Sequence, residues 1–146
     1  MPRRRKRISL HWPQALNVTR TVLDKEKLVY IVAANRRVRY EKGFSRIVYI
    51  GMTERGLKRI AESISDRAED FLREHGIKEL VVWIVTCKGT QRVKAWHKLE
   101  RALIIRFREL FGGLPKGNKK GEKMKWKNEL DMFSKNGLTA VLQSAS

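Results

Sequence analysis

Three short runs of β-branched and aromatic residues constrain the fold of this 146-residue chain more than any other feature. They are Leu28–Ala34, Arg46–Gly51 and Leu80–Thr86, and each has the length and composition typical of a β-strand. The runs are apolar on both faces, which predicts that something covers each side of the sheet they form. Residues 35–44 are polar and basic, so we expect a turn or a long hairpin loop between the first two strands.

Two longer segments have the spacing of amphipathic helices. From residue 57 to residue 75, apolar residues recur every three or four positions, and Gly76 is well placed to end that helix. A second helix is predicted over residues 91–111, which the glycines and the proline after it terminate. The order β-β-α-β-α predicts an α+β fold, in which helices flank a small, antiparallel-rich, three-stranded sheet.

The two ends of the chain differ in composition from the region between them. Residues 1–26 are basic and are predicted to form an N-terminal arm, with a short element around Ala15–Leu23. A disordered solubilising tail is the alternative for this arm. Residues 27–121 are the predicted central domain, and residues 122–146 are a basic C-terminal extension with a short helix predicted over Lys125–Phe133.

The charge balance indicates the class of partner. Lysines and arginines outnumber acidic residues by 33 to 15, so the formal net charge is +18. Because like charges repel in a compact state, we expect a polyanionic partner, most simply nucleic acid. A generally basic solvated surface is the alternative. The predicted nucleic-acid contacts lie in the hairpin and after the second helix: Arg36, Arg37, Arg39, Lys42, Lys116, Lys119 and Lys120.

The sequence disfavours several other classes of protein. Cys87 is the single cysteine, which excludes an internal disulfide, and the three scattered histidines do not predict a zinc site. No apolar run approaches the roughly 20 residues of a membrane span, and no basic amphipathic helix with an aromatic face points to a membrane surface. The basic N-terminus lacks a following apolar segment, so we expect no secretion signal and a cytoplasmic, nucleic-acid-associated protein.

One acidic residue lies where the helical pattern calls for an apolar one. Glu100 falls within the apolar face of the second helix, between the directions of Trp96 and Ile104. A carboxylate there costs free energy unless a cation accompanies it. Pairing with a neighbouring Lys or Arg is one explanation, and a metal ligand or catalytic carboxylate is the other. A single Mg²⁺ needs only one or two protein carboxylates when phosphate and water complete its octahedron.

Two tyrosines occupy equivalent places on the first two strands, in Val29–Ile31 and Tyr49–Gly51. Tyrosine is common in strands, so an ordinary core role is one interpretation of the pair. The other interpretation is that their hydroxyls converge beside Glu100. In that case Gly51, at the end of its strand, leaves room for a phosphate or a close backbone approach.

Taken together, these segments resemble the GIY-YIG nuclease family over about residues 27–120. The first signature is present as Leu28–Tyr30, with leucine in place of the family's glycine, and the second, Tyr49–Gly51, is intact. Arg59 follows ten residues after Tyr49, where the family carries its helix arginine. Glu100 lies at the family's glutamate position, and Asn118 matches the asparagine that follows that helix.

The resemblance implies an endonuclease that hydrolyses phosphodiester bonds, usually in DNA, with a metal ion. Tyr30 would act as the general base, and Tyr49 with Arg59 would hold the scissile phosphate. Glu100 would bind one Mg²⁺ or Mn²⁺, and Asn118 would support the site by hydrogen bonding. Duplex or branched DNA is the expected partner, in repair or restriction.

Two residues depart from the family's pattern. Met52 stands where a number of members have Lys or Ser, and Ser63 stands where many have His or Tyr. These departures leave open a second interpretation, a protein that keeps the nuclease fold and binds nucleic acid without cleaving it. A structural RNA-associated protein is a third interpretation, which explains the charge but not the position of Glu100.

Overall fold

A computed structural model describes residues 27–73, 76–86 and 95–146. The predicted arm over residues 1–26, its short element and the first residues of the second predicted helix lie outside the described residues. The elements, in chain order, are strands β1 (Leu28–Tyr40) and β2 (Gly43–Thr53), helix α1 (Gly56–Arg73), strand β3 (Leu80–Val85), and helices α2 (Ala95–Phe111), α3 (Glu129–Met132) and α4 (Lys135–Ala145).

The three strands form one antiparallel sheet in the order β2-β1-β3. Leu28 pairs with Thr53 at one end of the β1–β2 hairpin, and Tyr40 pairs with Gly43 at the other. Helices flank the sheet, so the predicted α+β fold with a three-stranded antiparallel sheet is confirmed. None of the helices in the described ranges is long and apolar enough to cross a membrane.

The hairpin is longer than the sequence analysis predicted. The expected loop over residues 35–44 is wrong, because β1 continues to Tyr40 and β2 starts at Gly43. In this outer half of the hairpin, Val38 and Tyr40 are buried while the intervening Arg39 is exposed. That alternation is the period of a strand with one covered face, and the polar composition of the segment concealed it.

Strand β3 is less buried than predicted. It lies at an edge of the sheet and, within the described residues, pairs with β1 alone. Val81, Val82 and Trp83 are 42%, 36% and 50% exposed, because the described helices pack mainly against β1 and β2. The expectation that this strand is buried on both faces is therefore wrong, although its position as a strand is correct.

The C-terminal region contains two helices where one was predicted. Helix α3 covers only part of the expected Lys125–Phe133, and α4 follows it. The Ser134 side chain caps α4 by accepting a hydrogen bond of 3.1 Å from the Gly137 amide. Leu138 and Leu142 of α4 are buried in the same core as the sheet and α2. The capping serine followed by two leucines four residues apart was the signal for this helix.

Helices α1 and α2 both begin at the open end of the hairpin, opposite its turn. Gly56 of α1 follows closely after β2. His97, in the first turn of α2, has its Nε2 atom 3.4 Å from Oε1 of Glu54, just beyond β2. At the far end of α2, the Lys42 amide donates to the Phe111 carbonyl at 3.0 Å. The N-terminal turns of both helices therefore lie at the same end of the sheet.

Candidate active site and nucleic-acid interface

Tyr30 and Tyr49 project from one face of the sheet and contact each other. Tyr30 pairs with Gly51, and Tyr49 pairs with Val32, so the two tyrosines are diagonal neighbours across the hairpin. Their ring centroids are 5.8 Å apart with the planes tilted by 42°. Tyr30 is buried and Tyr49 is half-buried. The common face that the sequence predicted for this pair is present.

Gly51 makes room for the tyrosine pair itself. A Cβ atom at this position would lie 2.6 Å from Tyr49 Cε1 and 2.9 Å from the Tyr30 hydroxyl oxygen, so any side chain would displace the rings. The space that we expected to admit a phosphate is therefore filled by the two tyrosines. The strand also continues past Gly51 to Thr53, so the glycine does not end it.

Helix α1 supplies the other polar groups beside the tyrosines. The guanidinium carbon of Arg67 is 4.7 Å from the centre of the Tyr49 ring, and the Phe71 ring lies 6.1 Å from it. Ser63 acts as a hydrogen-bonding neighbour of the Tyr30 hydroxyl. Arg67 was not among the predicted site residues, although Ser63, Arg67 and Phe71 are spaced four residues apart on one face of the helix.

Arg59 lies in the first turn of α1 on its exposed side. Its side chain is 48% exposed, and its Nη1 atom is 3.6 Å from Glu62 Oε2. Among the described residues, no hydrogen bond, ion pair or ring contact joins Arg59 to Tyr30 or Tyr49. Its helix starts at the same end of the sheet as α2, but the contact position next to the tyrosines belongs to Arg67.

The environment of Tyr30 keeps its hydroxyl protonated. Burial raises the pKa of Tyr30; the Ser63 hydrogen bond and the Arg67 charge oppose this rise, while Tyr49 adds to it. A neutral phenol donates and accepts hydrogen bonds but is a poor proton acceptor at neutral pH. The general-base role that the resemblance implies therefore needs additional positive charge close to the Tyr30 oxygen.

Glu100 is a half-buried carboxylate, as the helical pattern predicted. It lies in the second turn of α2, and burial raises its pKa to about 7. Within the described residues, its carboxylate takes part in no ion pair or hydrogen bond. The neighbouring Arg101 instead pairs with Glu129, with Nε 2.6 Å from Oε1. The described residues thus provide no basic partner for Glu100.

The chemistry of Glu100 suits a single Mg²⁺ that water and phosphate also bind. No group of three or more His, Cys, Asp or Glu side chains is arranged around a common point in the described part of the chain. A Mg²⁺ held by one or two carboxylates requires no such group. The contacts of the described residues do not link Glu100 to either tyrosine. Helix α2 packs through Phe107 on Tyr40, which projects from the side of the sheet opposite to the two tyrosines, so the expected convergence of the tyrosine hydroxyls beside Glu100 is not among the contacts found.

Asn118 clamps the strand that carries Tyr49. Its Oδ1 atom accepts a hydrogen bond of 3.0 Å from the Ile50 amide, and its Nδ2 atom donates one of 2.9 Å to the Ile50 carbonyl. The Gly117 amide donates to the Val48 carbonyl at 2.7 Å. Residues 117 and 118 thus pair with the outer edge of β2 as a short strand would. The support that the resemblance assigns to Asn118 takes the form of backbone hydrogen bonds next to Tyr49.

The two basic clusters that are distant in sequence meet around Tyr40. The Tyr40 hydroxyl donates to the Ile47 carbonyl at 2.7 Å and accepts from the Lys116 amide at 3.1 Å. The Lys116 ammonium lies 5.1 Å from the centre of the Tyr40 ring. The hairpin and the segment after α2 therefore form one basic surface. All seven predicted nucleic-acid contacts are exposed, although Arg39 projects from the face of the hairpin opposite to Tyr40. They are Arg36, Arg37, Arg39, Lys42, Lys116, Lys119 and Lys120.

Two arginines of α2 hold the lysine-rich segment that continues this surface. Arg108 donates to the Gly121 carbonyl at 3.0 Å and also to the Met124 carbonyl, and Arg101 donates to the carbonyl of Lys125. These contacts fix the main chain while the lysine side chains stay exposed. An open cavity of about 440 Å³ lies here, lined by Arg101, Gly121, Lys123, Met124, Lys125 and Lys127.

Comparison with known proteins does not identify a relative. No protein-family model matches this chain, and no curated protein or solved structure matches it either. The resemblance to GIY-YIG nucleases therefore depends on the signature residues and on the elements that carry them.

Proposed function

We propose that this chain is a metal-dependent endonuclease of the GIY-YIG type that cleaves DNA. The observation that carries the proposal is Glu100, a half-buried carboxylate with a raised pKa and no basic partner among the described residues. It lies near the start of α2, at the end of the sheet where α1 and Arg59 also begin. A carboxylate kept in such a place suits a metal ligand better than a structural ion pair.

The residues around the tyrosine pair would bind and orient the scissile phosphate. Tyr49 donates a hydrogen bond to a phosphate oxygen, and Arg67 provides the nearest positive charge. The resemblance assigns a further phosphate contact to Arg59, which would have to leave Glu62 to make it. Tyr30, as a neutral phenol, orients the attacking water, and it accepts a proton only where positive charge lowers its pKa.

Glu100 would hold one Mg²⁺ or Mn²⁺, which when bound neutralises charge on the phosphate and lowers the pKa of bound water. Asn118 keeps the backbone at Ile50 in place and so fixes the position of Tyr49. The basic surface would bind the phosphate backbone and supply affinity without sequence specificity. Such an enzyme would be cytoplasmic and would act on duplex or branched DNA, in repair or restriction.

Metal-dependent nicking of a supercoiled plasmid tests the proposal. We expect nicking with Mg²⁺ or Mn²⁺ and none with a chelator. Glu100→Ala should abolish cleavage while DNA binding stays nearly intact, because the change removes no phosphate contact. Asp66→Ala, which removes an exposed carboxylate from α1, is the matched control and should cleave normally. Wild-type cleavage by the Glu100→Ala protein would contradict the proposal.

A second readout does not depend on cleavage. A ligand that binds only the native state raises its stability, so Mg²⁺ should raise the unfolding temperature of the wild type at a pH above the pKa of Glu100. The Glu100→Ala protein should show a smaller rise. Equal rises in the unfolding temperatures of the two proteins would mean that Mg²⁺ binds at a site other than Glu100.

A nucleic-acid-binding protein that retains this fold without cleaving is the second candidate. Two observations favour it: the pKa of Tyr30 is raised, and Arg59 is turned toward Glu62. A preparation that binds DNA but never nicks it with any divalent metal would support this candidate over the first.

A further inference from the structure

An exposed aromatic side chain lies among arginines on the outer half of the β1–β2 hairpin. Phe44 is 57% exposed and pairs across the hairpin with Arg39. Arg46 lies two residues from Phe44 along β2. Because alternate strand residues share a face, these three exposed side chains form one surface, which we term the ribbon face: Arg39, Phe44 and Arg46.

The opposite face of the same segment is buried and holds the ribbon in place. Val38, Tyr40, Ser45 and Ile47 are all buried. Tyr40 packs edge-on against Phe107 of α2, with ring centroids 5.1 Å apart. The ribbon face is therefore a rigid, outward-facing surface, and binding to it requires little ordering of the backbone.

The ribbon face lies on the same side of the sheet as the two tyrosines. Ala33 lies three residues beyond Tyr30 in the regular part of β1, so its side chain projects from the side of the sheet opposite to Tyr30. Ile47 pairs with Ala33 and therefore also projects from the side opposite to Tyr30. Phe44 and Arg46 alternate along β2 with Ser45 and Ile47. Their side chains therefore project from the other side of the sheet, which is the side of Tyr30. A duplex bound at the tyrosines and extending along the hairpin would meet this face.

The charges of the ribbon face match a nucleic-acid backbone. Neither of its two arginines forms an ion pair within the described residues. Guanidinium groups bind phosphate oxygens in bidentate fashion. Phosphate binding does not explain why a phenyl ring is exposed among these arginines. Contact between the ring and the apolar faces of DNA bases does explain it.

We propose that the ribbon face contacts bases of duplex DNA, with Phe44 inserted at a base step while Arg39 and Arg46 hold the adjacent phosphates. A two-stranded β-ribbon fits a DNA groove, and apolar wedges inserted between base pairs are used by proteins that kink DNA. The inference rests on the DNA-binding part of the proposed function and does not require cleavage.

The test measures affinity for a fluorescent duplex by anisotropy over a range of salt concentrations, without divalent metal. Phe44→Ala should weaken binding by roughly 5- to 150-fold at every salt concentration, as the loss of one base-stacking contact does. The slope of log affinity against log salt should not change, because no charge is removed. Trp83→Ala removes an equally exposed aromatic from β3 (Trp83 is 50% exposed) and should leave affinity unchanged.

Substitution of the arginines should change the salt slope, which Phe44→Ala should leave unchanged. Arg39→Gln and Arg46→Gln should each reduce the magnitude of the salt slope by about 0.9, the value for one phosphate contact with duplex DNA. Lys78→Gln, an exposed lysine before β3, is the charge-matched control and should change the slope by much less.

Each outcome separates this inference from the proposed function. Wild-type affinity of the Phe44→Ala protein overturns the base contact, and so does a loss that appears with a single-stranded oligonucleotide but not with the duplex. Normal plasmid nicking by a Phe44→Ala protein with weakened binding supports the inference and leaves the proposed function intact. A wild-type protein that does not bind DNA overturns both.

Discussion

Glu100 links the stability of the chain to pH at the scale of a single residue. Its pKa is about 7 in the folded protein against an ordinary value of 4.5. Between these two values the folded state binds more protons than the unfolded state, so stability falls as pH rises through this window. The ionised carboxylate is therefore a cost that the folded protein retains at higher pH.

Glu100→Gln should remove that cost. We expect the variant to be more stable than the wild type by about 3 kcal/mol at about pH 8, and the difference should nearly vanish at about pH 4. Urea unfolding of both proteins at several pH values measures it. A difference that does not vary with pH would show that Glu100 does not titrate between the two values.

The contribution of Gly51 to stability can also be tested with a single substitution. Gly51→Ala places a methyl group 2.6 Å from Tyr49 Cε1, so we expect a loss of about 1–3 kcal/mol in unfolding free energy, which is usual for overpacking. Gly113→Ala is the control, because a Cβ atom there meets nothing within 4 Å. Equal stability of the two variants would mean that the tyrosines can move apart at no cost.

At the scale of elements, the outer half of the hairpin shows what the sequence contained but composition concealed. Residues 37–40 alternate between exposed arginines and buried apolar residues, which is the pattern of a half-covered strand. Their polar composition favoured a loop, because covering helices cannot be inferred from a local segment. A two-residue turn joins the strands in place of the predicted loop.

The edge of β2 depends on one side chain from a distant segment. Asn118→Ala removes both hydrogen bonds to Ile50 and should cost about 1–3 kcal/mol, because partly buried backbone groups lose their partner. Thermal unfolding measures the loss. Asn128→Ala is the control, since its side chain makes no capping hydrogen bond. If Asn118→Ala is as stable as that control, the clamp does not support the strand.

At the scale of the whole molecule, the joined basic surface predicts strong salt dependence. If about six lysines and arginines reach phosphates, log affinity for duplex DNA should fall against log salt with a slope of about −5. Binding titrations over a range of salt concentrations measure it. A slope near zero would show that the charge of +18 serves another purpose.

The sequence by itself determined the three strands, the two long helices and their order, but not the full length of the hairpin or helix α4. It also determined that Glu100 faces the apolar side of its helix and that the two tyrosines occupy neighbouring strands. These properties arise over a few residues, because side-chain periodicity and β-branched composition act locally. They were sufficient to predict the α+β fold.

Only the tertiary structure decided which groups surround the candidate site. Arg67, rather than Arg59, contacts Tyr49, Tyr40 joins two basic clusters through Lys116, and β3 remains exposed at the edge of the sheet. Each of these outcomes depends on how the helices and the C-terminal segment pack against the strands. Residues far apart in sequence meet only when that packing forms, so no local pattern contains them.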